Sequence, residues 1–163
     1  MEIFLLKHLP QLNFKLTLSN ITLTYSLDDT LLFYTILTTL EDEGPLVCKL
    51  HFSKIDDEQF KHYEGEINKI RAAFDLYKHP NVLVYDKIFN PQKKALLGVR
   101  QFVCHNLKEK LHRIPKLSFL EKKWLVFQLL CAIAQVHSAK MVHGDIKPSN
   151  ILITSFNQLL LAD

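Results

Sequence analysis

The sequence predicts an α+β fold in two layers, and three features carry the prediction. β-type runs rich in Leu, Ile, Thr, Phe and Tyr crowd into the first half of the chain. One long helical period interrupts them between Asp56 and Tyr77. Beyond Val103 the pattern is mostly helical up to a short closing hairpin.

Residues Asn13 to Tyr25 and Thr30 to Leu40 alternate partly between apolar and polar and read as two strands around the turn "SLDD". Gly44-Pro45 is a turn pair, and Leu46 to Phe52 after it is a third strand carrying Lys49. Phe60, Tyr63, Ile67, Ile70, Phe74 and Tyr77 then recur at intervals of 3 and 4, one face of an amphipathic helix. "KHPN" stops that helix, because the residue before Pro80 is driven out of helical geometry by the proline ring. Val82 to Phe89 and Lys94 to Val103 follow as strands around the turn "NPQK".

"NLKEKLHR" reads as a short helix. Ser118 and Glu121 form an S-x-x-E capping box that opens a longer one, running to about Ala139. Its segment Trp124 to Val136 is apolar nearly all round, interrupted by Gln128, as in a helix buried inside a larger body. In the isolated chain that segment is expected to expose a large apolar patch. "ILIT", the turn "SFNQ" and "LLLAD" close the chain as a hairpin.

Composition narrows the function classes. Hydrophobic residues make up 48% and charged residues 23%, ordinary for a globular protein and too apolar for a disordered one. The 20 basic and 17 acidic residues are scattered, so no run tracks a nucleic-acid backbone and nucleic acid is not an implied partner. Cys48, Cys104 and Cys131 include no C-x-x-C pair, which argues against a disulfide framework or zinc site and fits a reducing compartment. Trp124 to Val136 is shorter than the roughly 18 residues that span a bilayer, so no transmembrane segment is expected. The start "MEIFLLKHLP" has no signal-peptide pattern, and Glu2 stands where myristoylation requires Gly.

The chemistry concentrates in "MVHGDIKPSNILIT". Asp145, Lys147 and Asn150 offer a carboxylate, an ammonium and an amide within six residues. Transfer of a γ-phosphoryl group to a hydroxyl needs such a set: a carboxylate to orient the hydroxyl and take its proton, a cation against the phosphate, and a hard oxygen ligand for Mg²⁺. Asp163 supplies a second metal ligand if the hairpin folds back beside the loop. His143 is expected to hydrogen-bond the loop rather than shuttle protons, and the other histidines show no metal-ligand spacing.

"HGDIKPSN" resembles the H-R-D-x-K-x-x-N catalytic loop of protein kinases, with Asp163 where the Asp of D-F-G belongs. Lys49 in "LVCKL" is similar to the lysine of V-A-I-K, and "HPNV" to the turn after the following helix. "RQFVCHNLKEKL", "SFLEKKWLVFQLLCAIAQVH", "HGDIK" with Gly144 for the usual Arg, and "ITSFNQLLLAD" resemble the vacuolar protein sorting 15 family, the protein-kinase subunit of the class III phosphatidylinositol 3-kinase complex.

The resemblance implies a partial kinase domain over residues 1–163: an N-lobe of antiparallel sheet plus one long helix, with the hinge, at 1–104, and the start of a helical C-lobe at 105–163. It implies ATP with Mg²⁺ as cofactors and protein hydroxyls as substrates, serine or threonine by "DIKPSN". Asp145 would be the catalytic base and Lys147 a γ-phosphate contact, with Asn150 and Asp163 as Mg²⁺ ligands. Lys49 would hold the α- and β-phosphates. Glu64 and Glu66 border opposite sides of the helix's apolar face; Glu66 is chosen as the partner of Lys49 because the family's Y-x-x-E spacing falls there. Gln101, Phe102, Val103 and Cys104 would line the adenine site through backbone groups.

Implied partners are the lipid-kinase catalytic subunit and its autophagy and sorting subunits, on the cytoplasmic side of endosomal or vacuolar membranes. Two departures keep other functions open. The chain has four glycines and no glycine-rich phosphate loop, with Asp28 and Asp29 where those glycines are expected. The Phe and Gly of D-F-G, the activation loop and A-P-E do not follow Asp163, so the chain is read as a fragment. A catalytically weak kinase-like scaffold and a non-catalytic fragment are the alternatives.

Overall fold

The computed structural model describes residues 21–29, 33–40, 44–52, 57–75, 77–89, 95–113 and 117–163. In chain order they form β1 (Ile21–Asp29), β2 (Phe33–Leu40), β3 (Gly44–Phe52), α1 (Asp57–Ala73), β4 (Val82–Leu83) and β5 (Lys87–Phe89). Then come β6 (Ala95–Gln101), β7 (His105–Asn106), α2 (Leu107–Arg113), α3 (Phe119–Ser138), β8 (Ile151–Ile153) and β9 (Leu159–Ala162). The chain divides into two compact units, residues 1–64 with 85–102 and residues 65–84 with 103–163. This is the expected α+β arrangement of sheet plus helices.

The first unit is an antiparallel five-stranded sheet in the order β1-β2-β3-β6-β5. Leu37, Leu46, Val47, Cys48, Leu96, Leu97 and Val99 are buried in it. Burial pushes the Cys48 thiol up to about 11, so it packs as a small apolar side chain.

One expected turn is absent. "SLDD" does not separate two strands; β1 runs through it, with Ser26 opposite Ile36, Asp28 opposite Thr35 and Asp29 opposite Tyr34. Register shifts between Leu23 and Tyr25 and between Ser26 and Asp28 absorb the extra residues, which lets the ladder continue past polar side chains. The rest of the expected first strand, residues 13–20, lies outside the described residues.

The expected strand Val82 to Phe89 is likewise two strands. β4 pairs in parallel with β9, whereas β5 pairs antiparallel with β6, and the units divide between Val84 and Tyr85. Gly98 explains what Tyr85 does there: a Cβ on Gly98 would sit 2.9 Å from Tyr85 Cδ1, so the missing side chain admits the ring. The Arg100 guanidinium lies 5.9 Å from the same ring centre.

In the second unit α1 ends at Ala73, so Phe74 and Tyr77 are not on its apolar face, and Tyr77 is 97% exposed. Asp75 makes the break. Its Oδ1 accepts from the Tyr77 N–H at 2.8 Å, its carbonyl accepts from the His79 N–H at 2.7 Å, and its own N–H donates to His79 Nδ1 at 3.1 Å.

β4, β9, β8 and β7 form a four-stranded sheet in that order. Ile151, Ile153, Leu159 and Leu161 pack with Leu125, Ala132 and Val136 of α3, while Leu83, Leu152, Leu160 and Ala162 cluster with Val103. Covered on both faces, β8 and β9 are continuous apolar runs rather than alternating ones. The capping box opens α3 as expected: the Glu121 N–H donates to Ser118 Oγ at 3.2 Å and the Ser118 N–H to Glu121 Oε2 at 2.9 Å. The expected apolar patch is also present, with Phe119, Leu120, Trp124, Val126, Phe127 and Leu130 all exposed. Among the described residues no helix is long and apolar enough to cross a membrane.

Candidate active site

The loop is held at both ends. Met141 leaves α3 with its N–H on the Val136 carbonyl at 3.2 Å, after Lys140 turns the chain at φ 59°. At the far end the Asn150 N–H donates to the Lys147 carbonyl at 2.9 Å, and the Lys108 N–H of α2 donates to the Pro148 carbonyl at 3.1 Å. Gly144 has φ +80°, and a Cβ there would touch nothing within 4 Å. Backbone conformation, not space, favours glycine at that position.

Asp145 is the hub of the loop. Lys147 Nζ lies 2.8 Å from its Oδ2, and Asn150 Nδ2 donates to the same Oδ2 at 2.9 Å and to the Asp145 carbonyl at 3.0 Å. The Asp145 N–H donates to His143 Nδ1 at 3.3 Å, and His143 Nε2 faces the Ala162 carbonyl at 3.3 Å. With Nδ1 accepting and Nε2 facing the Ala162 carbonyl, the imidazole braces the loop against β9. The Lys147 hydrogen bond is the main cause that holds the Asp145 carboxyl below the usual carboxylate range; desolvation opposes it, and the Asn150 hydrogen bond adds a lesser lowering. Both contacts fall on Oδ2, which leaves Oδ1 outside them. Chemically this is an ionised carboxylate with one oxygen oriented by its neighbours and one open to a hydroxyl proton.

Asn150 is buried, and its carbonyl accepts from the Ala162 N–H at 2.9 Å, one residue before Asp163. The same bond network spends the Asn150 amide nitrogen on Asp145 and leaves Oδ1 outside it. Asp163, exposed and at φ 61°, follows directly on β9. An amide oxygen and a carboxylate are the hard donors that Mg²⁺ takes when phosphate oxygens and water complete its shell, so the donor set fits that ion. Among the described residues no group of three or more His, Cys, Asp or Glu gathers as an all-protein metal cage.

Lys49 lies in the first unit, on β3 opposite Thr35 and Gly98. Glu66 lies in the part of α1 that belongs to the second unit, where it meets Lys69 at 2.6 Å with both side chains well exposed. Such a surface pair is worth only about 0.2–0.5 kcal/mol. Gln101 ends β6, the Phe102 N–H donates to the Pro45 carbonyl at 3.1 Å, Val103 is packed on the β8–β9 cluster and Cys104 is exposed.

Three amides that sequence reasoning passed over sit behind the site. Gln128 Oε1 accepts from the Leu159 N–H at 2.9 Å and its Nε2 donates to the Asn157 carbonyl at 3.0 Å. Asn81 and Gln135 bond each other, and Asn81 bonds β9. The readable signal was a polar residue inside an apolar helix; nothing in the sequence pairs Asn81 with Gln135.

Residues 38–163 match the protein kinase domain family. The chain is 43% identical over 122 residues to the serine/threonine-protein kinase VPS15 of Arabidopsis thaliana, covering 75% of this chain and 8% of that protein. It is 35% identical over 125 residues to the protein of the same name from Saccharomyces cerevisiae, again 8% of its length, and 45% identical over 87 residues to that of Schizosaccharomyces pombe, which covers 53% of this chain and 5% of that protein. The chain thus spans less than a tenth of the length of these three relatives. With the match covering most of its length, and the acid, lysine and amide of the loop drawn onto one carboxylate, the chain belongs to the protein kinase domain family.

Proposed function

We propose that this chain is part of a serine/threonine protein kinase that transfers the γ-phosphoryl group of ATP to a protein hydroxyl. The observation that carries the reading is the Asp145 carboxylate, held ionised through Oδ2 by Lys147 and Asn150 with Oδ1 left for a substrate. In the transfer, the substrate oxygen bonds to the γ-phosphorus, the bond from that phosphorus to the β,γ-bridging oxygen breaks, the hydroxyl proton passes to Asp145, and ADP leaves. Lys147 offsets charge on the γ-phosphate. Lys49, oriented by Glu66, holds the α- and β-phosphates, and Gln101 to Cys104 receive the adenine. Asn150 and Asp163 would hold Mg²⁺, which supplies charge neutralisation on the phosphates.

By likeness to the VPS15 relatives, the whole protein serves as the regulatory subunit of a class III phosphatidylinositol 3-kinase complex, peripheral to endosomal or vacuolar membranes and acting in sorting and autophagy. Asp145→Asn in the full-length protein keeps the geometry and removes the base. Phosphorylation, followed with radiolabelled ATP, should fall by about 10²-fold or more while the melting temperature holds. Unchanged turnover would sink the assignment of Asp145.

A second reading has its own support. β1 continues its ladder through Asp28 and Asp29, with no glycine-rich turn to bring backbone N–H groups against phosphates. A kinase-like scaffold with little transfer activity would bind Mg²⁺-nucleotide without turning it over. Nucleotide binding and turnover measured on the same preparation separate the two.

A further inference from the structure

The strand that ends at Asp163 is fixed from behind by side chains with no part in the chemistry. Asn81 is 9% exposed, and its four polar groups all find partners. Its N–H donates to Gln135 Oε1 at 3.1 Å, and its Oδ1 accepts from Gln135 Nε2 at 3.4 Å. Its Nδ2 donates to the Leu159 carbonyl at 2.8 Å, and its carbonyl accepts from the Leu161 N–H at 2.8 Å. One asparagine therefore grips β9 at two alternate residues while α3 grips the asparagine. Two residues further on stands Asp163.

We infer that Gln135 and Asn81 form an amide clamp that positions the Asp163 carboxylate beside Asn150, and that Gln135 is a positioning residue for metal-nucleotide binding. The inference rests on the proposed roles of Asn150 and Asp163. β9 is a short strand on which Gln128 already fixes the Leu159 N–H and Asn150 the Ala162 N–H. The clamp supplies what lies between, the Leu159 carbonyl and the Leu161 N–H. A strand bonded at each of these points has little freedom to slide along its axis, and sliding is what would carry Asp163 away from Asn150. Gln135 holds no atom of β9 itself. It acts by keeping Asn81 in the one orientation that serves both ends of the grip, since a buried amide without partners would turn to find them.

The test compares Gln135→Leu, which removes both bonds to Asn81, with Val136→Ala, which opens a core cavity at the next residue without touching the clamp. Mg²⁺ is titrated into the full chain with a non-hydrolysable ATP analogue. Gln135→Leu should raise the Mg²⁺ needed for half-saturation about tenfold, as loss of an outer-sphere partner does. Val136→Ala should lower the melting temperature and leave that midpoint in place, and Gln135→Glu, which keeps an acceptor for the Asn81 N–H, should restore part of the affinity.

Midpoints that shift alike in Gln135→Leu and Val136→Ala would overturn the clamp, because the effect would then follow stability alone. Amide hydrogen exchange at Leu161 and Ala162 decides it independently of nucleotide. Exchange faster in Gln135→Leu than in Val136→Ala supports the clamp, and equal exchange rejects it. Wild-type chain that binds no Mg²⁺-nucleotide would refute the roles of Asn150 and Asp163, and the exchange data would still rule on the clamp.

Discussion

Asp145 is 55% exposed at its side chain, yet its charge is fixed by contacts rather than left to solvent. The folded carboxyl titrates below its ordinary value, so the stability it contributes is present above the unfolded value and is lost as pH falls through the folded one. At neutral pH the base is fully ionised. Lys147 is the first cause of the depression, so Lys147→Met should move the Asp145 midpoint upward in an NMR titration of the carboxyl carbon. A midpoint that stays put would show that Lys147 does not set the charge. At this scale the sequence was informative where side chains act within a few positions: Asp145, Lys147 and Asn150 meet because one loop carries them. It was silent on Asn81 and Gln135, 54 positions apart, whose pairing depends on the packing of α3 against β4 and β9.

Elements were legible where a local device starts or stops them. The Ser118–Glu121 box and the β8–β9 hairpin follow from neighbours within four or five positions, whereas Gly44-Pro45, expected as a turn before β3, already pairs with Leu40 and Thr39 inside that strand. The end of α1 was misplaced because Phe74 and Tyr77 keep the helical period, while the single Asp75 side chain turns the backbone. β4 was hidden for a different reason: two residues in parallel register with β9 leave no local signal. Gly98 joins these levels, since a strand glycine usually weakens a sheet and here it makes room for Tyr85. Gly98→Ala should therefore lower unfolding free energy by about 1–3 kcal/mol through overpacking, despite the better strand propensity of alanine. Urea denaturation measures it, and a double-mutant cycle with Tyr85→Ala should show that most of the cost disappears once the ring is gone. A neutral Gly98→Ala would mean that the ring moves aside freely.

Each unit buries its own apolar cluster, and among the described residues α3 carries the largest exposed set of apolar side chains. One face of the helix meets the small sheet through Leu125, Ala132 and Val136. The other carries Leu120, Trp124 and Phe127, which are 77%, 51% and 57% exposed. The sequence announced this by being apolar all round, a pattern that periodicity alone cannot orient. If the exposed face adds nothing to the fold of the 163-residue chain, replacing it is nearly free of cost. Leu120 is the second residue of α3, where a negative charge suits the helix N-terminus, and Phe127 is mid-helix, where lysine is a good helix former. Leu120→Glu with Phe127→Lys should thus leave unfolding free energy within about 0.5 kcal/mol of the parent, while dye binding to exposed apolar surface falls and the soluble concentration rises. A drop of several kcal/mol instead would place those side chains in a core, and the division of α3 into one packed and one open face would be wrong.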